Sequence, residues 1–496
     1  MTEQFDVVVI GGGPGGATIS TLVARAGHKV LLLEAQAFPR HQIGESLLPA
    51  TIRGICPLLG VQDQIEAANF MPKKGGTFIW GKSKDPWTFY FEKPRKGLTP
   101  KPIAYQVERW KFDNILLENA KKSGVEVRHH CCVLDVIEEN GRVVGVKYKD
   151  KDNGVHTVAA KYVADASGNR SILSPKVGER LYSKFFNNIA IYGYFDNAKR
   201  LPEPNQGNIL VEAIPKGWIW YIPLTKTLTS VGVVVDKTTV TDVQKNKETI
   251  FKNILNSSAV VSEYLSMGTP CVSDLYNEIR VRVDYSYTNT KLWKPGLVLI
   301  GDAACFIDPI FSSGVHLATY SALLAARSIN TFLQGTLPEL ECFTEFEERY
   351  RKEFSNFYNF LIAFYDMEQS TEDYFWAARK VLNTTEKSNK AFIKLVSGFS
   401  TEGIPEAANP DEYFNVRAGI GEALQHNIKN EGAKNLNDDG ASKMDISKFM
   451  EGLTREITSM QAHANNINLE QLQGSYCSLI PTDDSLYWQK EPEIVT

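Results

Sequence analysis

Phe5-Asp-Val-Val-Val-Ile10, Gly11-Gly-Gly-Pro-Gly-Gly16, a run from Ala17 to Ala26 closed by Gly27, and Lys29-Val-Leu-Leu-Leu-Glu34 decide the fold. The first run is β-branched, the composition of a buried parallel strand. Gly11, Gly13 and Gly16 form G-x-G-x-x-G, with Pro14 and Gly15 opening the helix expected over Ala17–Ala26. A second strand then ends on Glu34. Each glycine has a separate physical task. Gly11 permits the tight turn, Gly13 lets the backbone approach a pyrophosphate, and Gly16 lets helix and strand pack closely. The free N–H groups and positive end of the helix suit phosphate charge. Glu34 falls where a carboxylate accepts hydrogen bonds from a ribose. A lone G-x-G-x-x-G can be no more than a glycine-rich turn. Strand, glycines, helix, strand and acid together point to a dinucleotide site.

The surroundings of this stretch narrow the class. A length of 496 residues suggests roughly two to three domains by the usual length rule. Hydrophobic residues at 43% and charged residues at 23% are ordinary for a globular protein. A formal charge of −4 gives no long-range attraction to nucleic acid or to an anionic membrane, so neither is an expected partner. Seven scattered cysteines without C-x-x-C spacing argue for a reducing compartment and against a metal site. Adjacent Cys131 and Cys132 fall in a strand expected over Val125–Val136, where at least one belongs in the core. No charged-then-apolar leader precedes the first strand, and no apolar run nears the length of a membrane span. The expected location is the cytoplasm.

Further along, Phe38-Pro-Arg-His-Gln-Ile-Gly-Glu-Ser46 reads as a loop near the cofactor, which brings Glu45 and Ser46 to it. Thr51–Ala68 is expected to be helical, Gly75–Trp80 a strand with Thr88–Phe91 as its partner, and Trp110–Ser123 a helix. Val125–Tyr148 reads as a β-meander turning at Glu139-Asn-Gly141. Lys161–Gly168 reads as a short strand ending in a small-residue turn. From Ile189 to Val235 the pattern is mostly β, a sheet of its own that could floor a substrate cavity. Thr239–Met267 is expected to be helical, and Leu297–Ile300 a strand running into Gly301-Asp302. A long helix is expected from about Gly314 to Phe332. Beyond Leu337 the chain is largely helical and rich in aromatics. A Gly/Asn/Asp-rich linker, Asn430–Lys443, precedes a last helix over Asp445–His463.

Three later stretches bear on which dinucleotide binds. Gly301-Asp302-Ala-Ala304 offers an acid after a strand, where a ribityl chain could be held. Asp165-Ala-Ser-Gly168 offers a second small-residue turn, and Arg109 with Phe112-Asp113 brings charge near the pyrophosphate. In this order, behind the N-terminal fingerprint, they resemble the two-domain FAD enzymes of the p-hydroxybenzoate hydroxylase and glutathione reductase type. The implied fold class is α/β: an FAD-binding Rossmann-like domain, a mixed β-sheet substrate domain and a helical C-terminal region. The corresponding boundaries are 1–188 with 285–337 for the FAD-binding domain, 189–284 for the β-rich domain, and 338–496 for the C-terminal region. No second strand–glycine–helix fingerprint marks an NAD(P)H site, since Gly419-Ile-Gly421 lacks the strand before it. The chain is therefore not expected to reduce its own flavin.

Gly217-Trp-Ile-Trp-Tyr-Ile-Pro223 puts Trp218, Trp220 and Ile222 on one face of a strand. By itself this is most simply aromatic core. The residues also match W-x-W-x-I-P, and here the chain resembles the flavin-dependent halogenases, whose tryptophans are held to shield the flavin from substrate. Phe306-Ile-Asp-Pro-Ile-Phe-Ser-Ser-Gly314 fits the family's F-x-x-P-x-x-S-x-G. Its amides open into a helix and form an anion nest, which implies halide at Ser313 and Gly314, with Pro309 and Gly314 also against the flavin. Pro72-Lys-Lys-Gly-Gly-Thr-Phe78 contains the family's K-x-G lysine. By spacing alone that lysine is Lys73 or Lys74. If the strand extends back through the pair, alternation sends the neighbouring side chains opposite ways and only one lysine enters the cavity. In the family the lysine stands five residues before a strand phenylalanine, which is Phe78 counted from Lys73. Tryptophan halogenases carry a glutamate where this chain has Phe311, so the resemblance is to the phenol and pyrrole branch.

The resemblance implies an enzyme that uses FAD, delivered as FADH2 by a separate flavin reductase, with O2 and chloride or bromide. Hypohalous acid formed near Ser313 and Gly314 would reach catalytic Lys73 and halogenate an electron-rich aromatic ring. That ring would be a phenol or tyrosine-derived unit first and a pyrrole second, free or tethered to a carrier protein in natural-product biosynthesis. The rivals are a flavin monooxygenase or prenyl reductase on the same fold, and an inactive flavoprotein scaffold.

Overall fold

The computed structural model describes residues 3–80, 85–91, 102–214, 217–236, 240–366, 388–398 and 479–490. Its first sheet grows outward from Glu3–Ile10. That strand pairs in parallel with Val30–Glu34 on one side and Val155–Asp165 on the other. Glu126–His129 and Leu297–Leu299 extend the parallel set at its two ends. Val7, Val8 and Val9, with Leu31 and Leu32, are fully buried, as expected for strands covered on both faces. The N-terminal part of Val155–Asp165 also carries the antiparallel hairpin Cys132–Glu139/Arg142–Lys149, and Trp293–Lys294 completes the eight strands.

The chain leaves Ile10 where strand order reverses, and the glycines there have different neighbours. Gly11 has φ +96°, and a Cβ on it would lie 2.6 Å from the Ala166 carbonyl oxygen. A Cβ on Gly16 would lie 1.8 Å from the Gly11 carbonyl oxygen, so the helix Pro14–Arg25 sits directly on the turn. Gly15 faces the helix Gly314–Gln334 and would place a Cβ 3.2 Å from the Ala318 carbonyl oxygen. Gly13 is open by contrast: a Cβ there would meet Arg40 Nη2 alone, at 3.6 Å.

The second sheet has nine strands. In spatial order they are Cys305–Phe306, Arg280–Asn289, Arg180–Asp196, Leu228–Asp236, Gly217–Pro223, Ile209–Ile214, Gly75–Ile79 and Trp87–Tyr90, with Thr269–Pro270 beside Arg180–Asp196. All pairs are antiparallel except Ile209–Ile214 against Gly75–Ile79. One face, with Ile191, Ile219, Tyr221 and Val233, packs against Phe251 and Leu255 of the helix Val240–Ser257. The other, with Trp218, Trp220 and Val234, belongs to the main core. Gly75–Ile79 and Trp87–Tyr90 thus join this sheet from far upstream. Residues 188 and 284, where domain boundaries were expected, fall inside the strands Arg180–Asp196 and Arg280–Asn289.

Three local expectations are corrected. Thr51–Ala68 is not one helix: a π-helical turn, Ala50–Ile55, runs into Pro57, the chain turns at Gly60 (φ +68°), and Gln62–Ala67 resumes. Proline removes an amide donor and left-handed glycine ends a helix. Val125–Tyr148 is not a continuous meander, because Glu126–His129 pairs with Val30–Glu34 and the chain turns at His130 (φ +57°) before the hairpin. Cys131 after that turn is buried and Cys132 exposed. The helical region after Thr239 breaks at Ser258, whose hydroxyl accepts from Val261 N–H at 2.9 Å and caps a second helix, Ala259–Leu265.

The helix Glu339–Asp366 lies on the main core, with Phe343 stacked 4.8 Å from Tyr162. A short hairpin, Leu479–Pro481 with Trp488–Lys490, closes against Gly314–Gln334. Trp488 there sits between the Arg327 and Arg349 guanidinium groups, 5.1 and 5.2 Å away. Its Nε1 donates to Ser328 Oγ at 3.0 Å. The linker at 430–443, the helix at 445–463 and Gly419–Gly421 lie outside the described residues.

The glycine geometry separates folding from cofactor binding. Gly16→Val should cost more than about 4 kcal/mol, the range of severe steric defects, and yield no native protein. Gly13→Val should keep its unfolding transition and lose bound FAD. Calorimetry and flavin absorbance of the purified protein check both, and stoichiometric flavin in Gly13→Val would remove the pyrophosphate role.

Candidate active site

Lys73 precedes the strand Gly75–Ile79, and the chain around it is fixed on both sides. Its N–H donates to the Ala104 carbonyl at 2.9 Å, and the Lys74 carbonyl accepts from Phe91 N–H at 2.9 Å. Lys73 is 3% exposed, whereas Lys74 beside it is exposed. The Lys73 ammonium donates to the Leu47 carbonyl at 3.2 Å and lies 5.2 Å from the Phe91 ring centre. No carboxylate pairs with it among the described residues. Burial lowers its pKa from the ordinary 10.5 to about 7.

Phe306–Gly314 makes the turn expected of it. Asp308 Oδ1 accepts from Ile310 N–H at 3.1 Å and so caps the one-turn helix Pro309–Phe311. Its Oδ2 accepts from Asn188 Nδ2 at 3.1 Å and Tyr365 Oη at 2.9 Å. Burial pushes this carboxyl up to about 6, against those hydrogen bonds. Ser312 then adopts a left-handed conformation (φ +62°), which turns the chain into the long helix through Ser313 and Gly314. Phe311 packs among Phe78, Phe360 and Phe364 at 4.8 to 6.2 Å.

Lys73 and this turn, more than 230 residues apart, meet on one small cavity of about 10 Å³, the size needed for a single water molecule. Phe78, Phe89, Phe91, Ile310, Phe311 and Ser312 line it with Lys73. Four phenylalanines and aliphatic side chains make most of its described lining, and the buried Lys73 carries the one amine among those residues. Trp218 and Trp220 are not among its lining residues. They stand side by side on the core face of their strand, ring centres 5.9 Å apart. Trp220 lies over Gly232, where a Cβ would come 2.1 Å from the indole, and its Nε1 donates to Ser230 Oγ at 3.2 Å.

The loop 38–46 links the dinucleotide turn to this region. Arg109 holds it: Nη1 donates to the Ile43 carbonyl at 2.7 Å and the Gly44 carbonyl at 3.2 Å, while Nε and Nη2 grip Asp113 at 2.7 and 2.9 Å. The Arg109 guanidinium is thus engaged within the chain, and Arg40 Nη1 lies 3.5 Å from the same aspartate. Glu34 Oε2 accepts from Gly12 N–H at 2.6 Å and Oε1 from Gln36 N–H at 2.8 Å, bracing the glycine turn while lone pairs remain free. Asp302 lies 3.7 Å from Arg282. Glu45 is buried beside the Ser230 and Tyr194 hydroxyls, and burial pushes it up to about 7 against those hydrogen bonds. Ser230 and Asp308 were not anticipated as site residues. Asp308 was readable, since an acid before Pro-x-x marks a turn start; Ser230 carries no such signal.

The residues present fit FAD. Gly13 leaves its backbone open, and Glu45 Oε2, Ser46 Oγ, Ser313 Oγ and Trp218 Nε1 are buried without a hydrogen-bond partner. Orphans of this kind are costly unless a ligand or water meets them.

A buried amine with one carbonyl partner and no counter-ion is a liability to the fold. Lys73→Met should therefore raise stability at pH 7 by at least about 1 kcal/mol. The sign in pH follows from linkage: between about 7 and 10.5 the unfolded lysine keeps a proton that the folded one has lost. Wild-type stability rises across that window, so the advantage of the variant is largest at pH 7 and shrinks toward pH 10. Calorimetry at both pH values checks it, and a destabilised Lys73→Met at pH 7 would contradict it.

Comparison with known proteins agrees with the geometry. The tryptophan halogenase family model matches residues 6–98 and 91–432. The myxobacterial chondrochloren halogenase CndH, an FAD-dependent halogenase, is 47% identical, with a TM-score of 0.76 over 98% of this chain and 100% of that one. The tryptophan 2-halogenase of Chondromyces crocatus is 36% identical over 412 residues, 80% of this chain and 76% of that one. A 1H-pyrrole-2-carbonyl-(peptidyl-carrier protein) chlorinase of Pseudomonas fluorescens is 34% identical over 384 residues, 73% of this chain and 84% of that one. No helix among the described residues is long and apolar enough to cross a membrane. Matched by the family model over most of its length, the chain belongs to the tryptophan halogenase family and is a flavin-dependent halogenase that works with reduced FAD and halide.

Proposed function

We propose that this halogenase acts on an electron-rich aromatic ring, a phenol or tyrosine-derived unit before a pyrrole, and that Lys73 delivers the halogen. The observation that carries this reading is the small cavity shared by Lys73 and the 309–314 turn. Gly11, Gly13, Pro14, Gly15 and Gly16 would hold the dinucleotide phosphates at the helix N-terminus, with Glu34 at the ribose and Asp302 at the ribityl chain. Arg109 acts here by fixing the loop that presents Glu45 and Ser46. Pro309 and Gly314 would flank the flavin, and Ser313 with Gly314 would bind halide. Bound and reduced, with O2 and halide, the flavin supplies hypohalous acid. Trp218 and Trp220 stand as the wall that keeps the substrate ring from the flavin.

Lys73 acts on the hypohalous acid. Its ammonium form donates a hydrogen bond to the acid's oxygen; its neutral form takes the halogen as a haloamine and releases water. The aromatic ring then gives an electron pair to the halogen and loses a proton, and the amine is regenerated. A pKa lowered to about 7 makes the neutral amine available at neutral pH. Phe311 stands where tryptophan halogenases carry a glutamate, so the described lining of the cavity offers no carboxylate to support a poorly activated ring. That favours substrates rich in electrons on their own account. The pyrrole chlorinase among the relatives acts on a carrier-bound ring, which supports testing carrier-tethered substrates as well as free ones. A separate flavin reductase would supply the reduced cofactor.

Lys73→Ala should keep bound FAD, reoxidise reduced flavin and oxidise halide, yet lose nearly all halogenated product. Lys74→Ala should lose no more than about 0.5 kcal/mol of stability and keep its activity. Mass spectrometry of a phenol and pyrrole panel, free and carrier-bound, reads the product. Product per halide oxidised should rise as pH passes upward through 7 if the haloamine forms. Two active lysine variants would refute the role of Lys73. Oxygenation of a phenol in halide-free buffer would favour monooxygenase chemistry on this substrate.

A further inference from the structure

Asn208 has no part in the reading so far, yet it holds the backbone beside Lys73. It stands just before the strand Ile209–Ile214 and is 1% exposed. Its Oδ1 accepts from two successive amides, Lys74 N–H at 3.0 Å and Gly75 N–H at 2.9 Å. Successive amides in a regular strand point to opposite sides. Two that converge on one oxygen mark a bend, and this bend falls immediately after Lys73. Both lone pairs of the amide oxygen are thereby engaged.

The bend is held from behind as well. Asn208 Nδ2 donates to Asn205 Oδ1 at 3.3 Å, and the same oxygen accepts from Tyr90 Oη at 2.8 Å. Tyr90 is the cross-strand partner of Gly75, so the support returns to the strand that it braces. Gly207 presses on the residue before Lys73: a Cβ there would lie 2.0 Å from the Pro72 carbonyl oxygen. Gln106 Nε2 fixes Gly207 by donating to its carbonyl at 3.1 Å. On the other side of the bend, a Cβ on Gly75 would lie 1.8 Å from the Phe89 carbonyl oxygen.

We propose that Asn208 is the positioning residue for Lys73: by gathering the Lys74 and Gly75 amides it sets the bend that turns the Lys73 amine into the cavity and Lys74 out to solvent. This rests on Lys73 as the halogen-delivering group. Without the bend, the four-carbon stem gains rotamers and the amine leaves its place against the Leu47 carbonyl. Hypohalous acid would then form as before and escape unused.

The test compares Asn208→Ala, which removes the acceptor, with Asn208→Asp, which keeps it. In the complete enzyme with reductase and halide, flavin content and flavin reoxidation should be unchanged in Asn208→Ala. Free hypohalous acid caught by a scavenger should rise, and product per halide oxidised should fall about tenfold, the effect of losing two buried hydrogen bonds of ordinary strength. In flavin-free protein, labelling of Lys73 by an amine reagent, read by peptide mass spectrometry against exposed Lys151, should quicken by a similar factor. Asn208→Asp should bring both readouts back to within about threefold of wild type, as retained acceptors predict. A folded Asn208→Ala with wild-type partition and labelling overturns the proposal. Should that variant fail to fold, Asn208→Ser, with one short acceptor, carries the same readouts and the same criterion. If Lys73→Ala still forms product, delivery by Lys73 fails, and the labelling of Lys73 alone decides whether Asn208 positions it.

Discussion

The close crossing of two helices at Gly15 and Ala318 sets the spacing on which the rest depends. An added Cβ on Gly15 would crowd the Ala318 carbonyl oxygen at 3.2 Å, and one on Gly301 would collide with the Ala318 Cβ at 2.9 Å. The absence of a methyl group at Gly15 lets the helix that follows the dinucleotide turn and the helix that follows the 309–314 turn approach closely, and Gly301, in the turn Gly301–Ala303, makes room for Ala318 from the other side. Their N-termini are thereby held at a fixed separation. Free amides at the start of each helix favour anions, so one packing constraint fixes two electropositive points relative to each other. A larger residue at the crossing would move them apart together with everything they hold.

A second constraint is the isolation of the Lys73 amine. Aromatic rings surround it, one backbone carbonyl meets it, and no described carboxylate neutralises it. Burial of this sort disfavours the charged form, so the amine costs stability where it stands. Just after it, the Lys74 carbonyl is met by the Phe91 amide, and Asn208 accepts from the Lys74 and Gly75 amides. Asp308 shows the opposite arrangement, a buried carboxyl met by three donors.

Much of this was legible in the sequence because it depends on local rules. Gly11 and Gly16 had to be glycine for backbone reasons, and the structure places carbonyl oxygens where their side chains would be. The five-residue spacing to Phe78 picks Lys73 over Lys74, and the structure buries the first and exposes the second, although the strand begins only at Gly75 and alternation does not reach the pair. Trp218 and Trp220 fall on one face by strand alternation. What was not legible is long-range pairing. Glu126–His129 reads as the start of a meander, and only the buried edge of Val30–Glu34 draws it into the parallel sheet. Gly75–Ile79 and Trp87–Tyr90 join a sheet whose other strands begin some ninety residues later. Asn208 and Ser230 lie in stretches with no motif, and their partners are known only once the strands are in register. Pro57 and Gly60 were visible as helix breakers, but the apolar periodicity of Thr51–Ala68 masked them.

The clasp of Trp488 between Arg327 and Arg349 has a consequence for the order of synthesis. The helix Gly314–Gln334 follows directly on the 309–314 turn, yet its Arg327, Ser328 and Asn330 take partners from residues 485 to 488. A ribosome releases those partners about 150 residues after the helix itself, many seconds later at ordinary elongation rates. Until then the nascent helix carries a buried-type arginine with its aromatic lid missing. The helix that begins at the 309–314 turn is thus made well before the hairpin that covers its later part, and a chain ending before Trp488 lacks the indole donor to Ser328 Oγ.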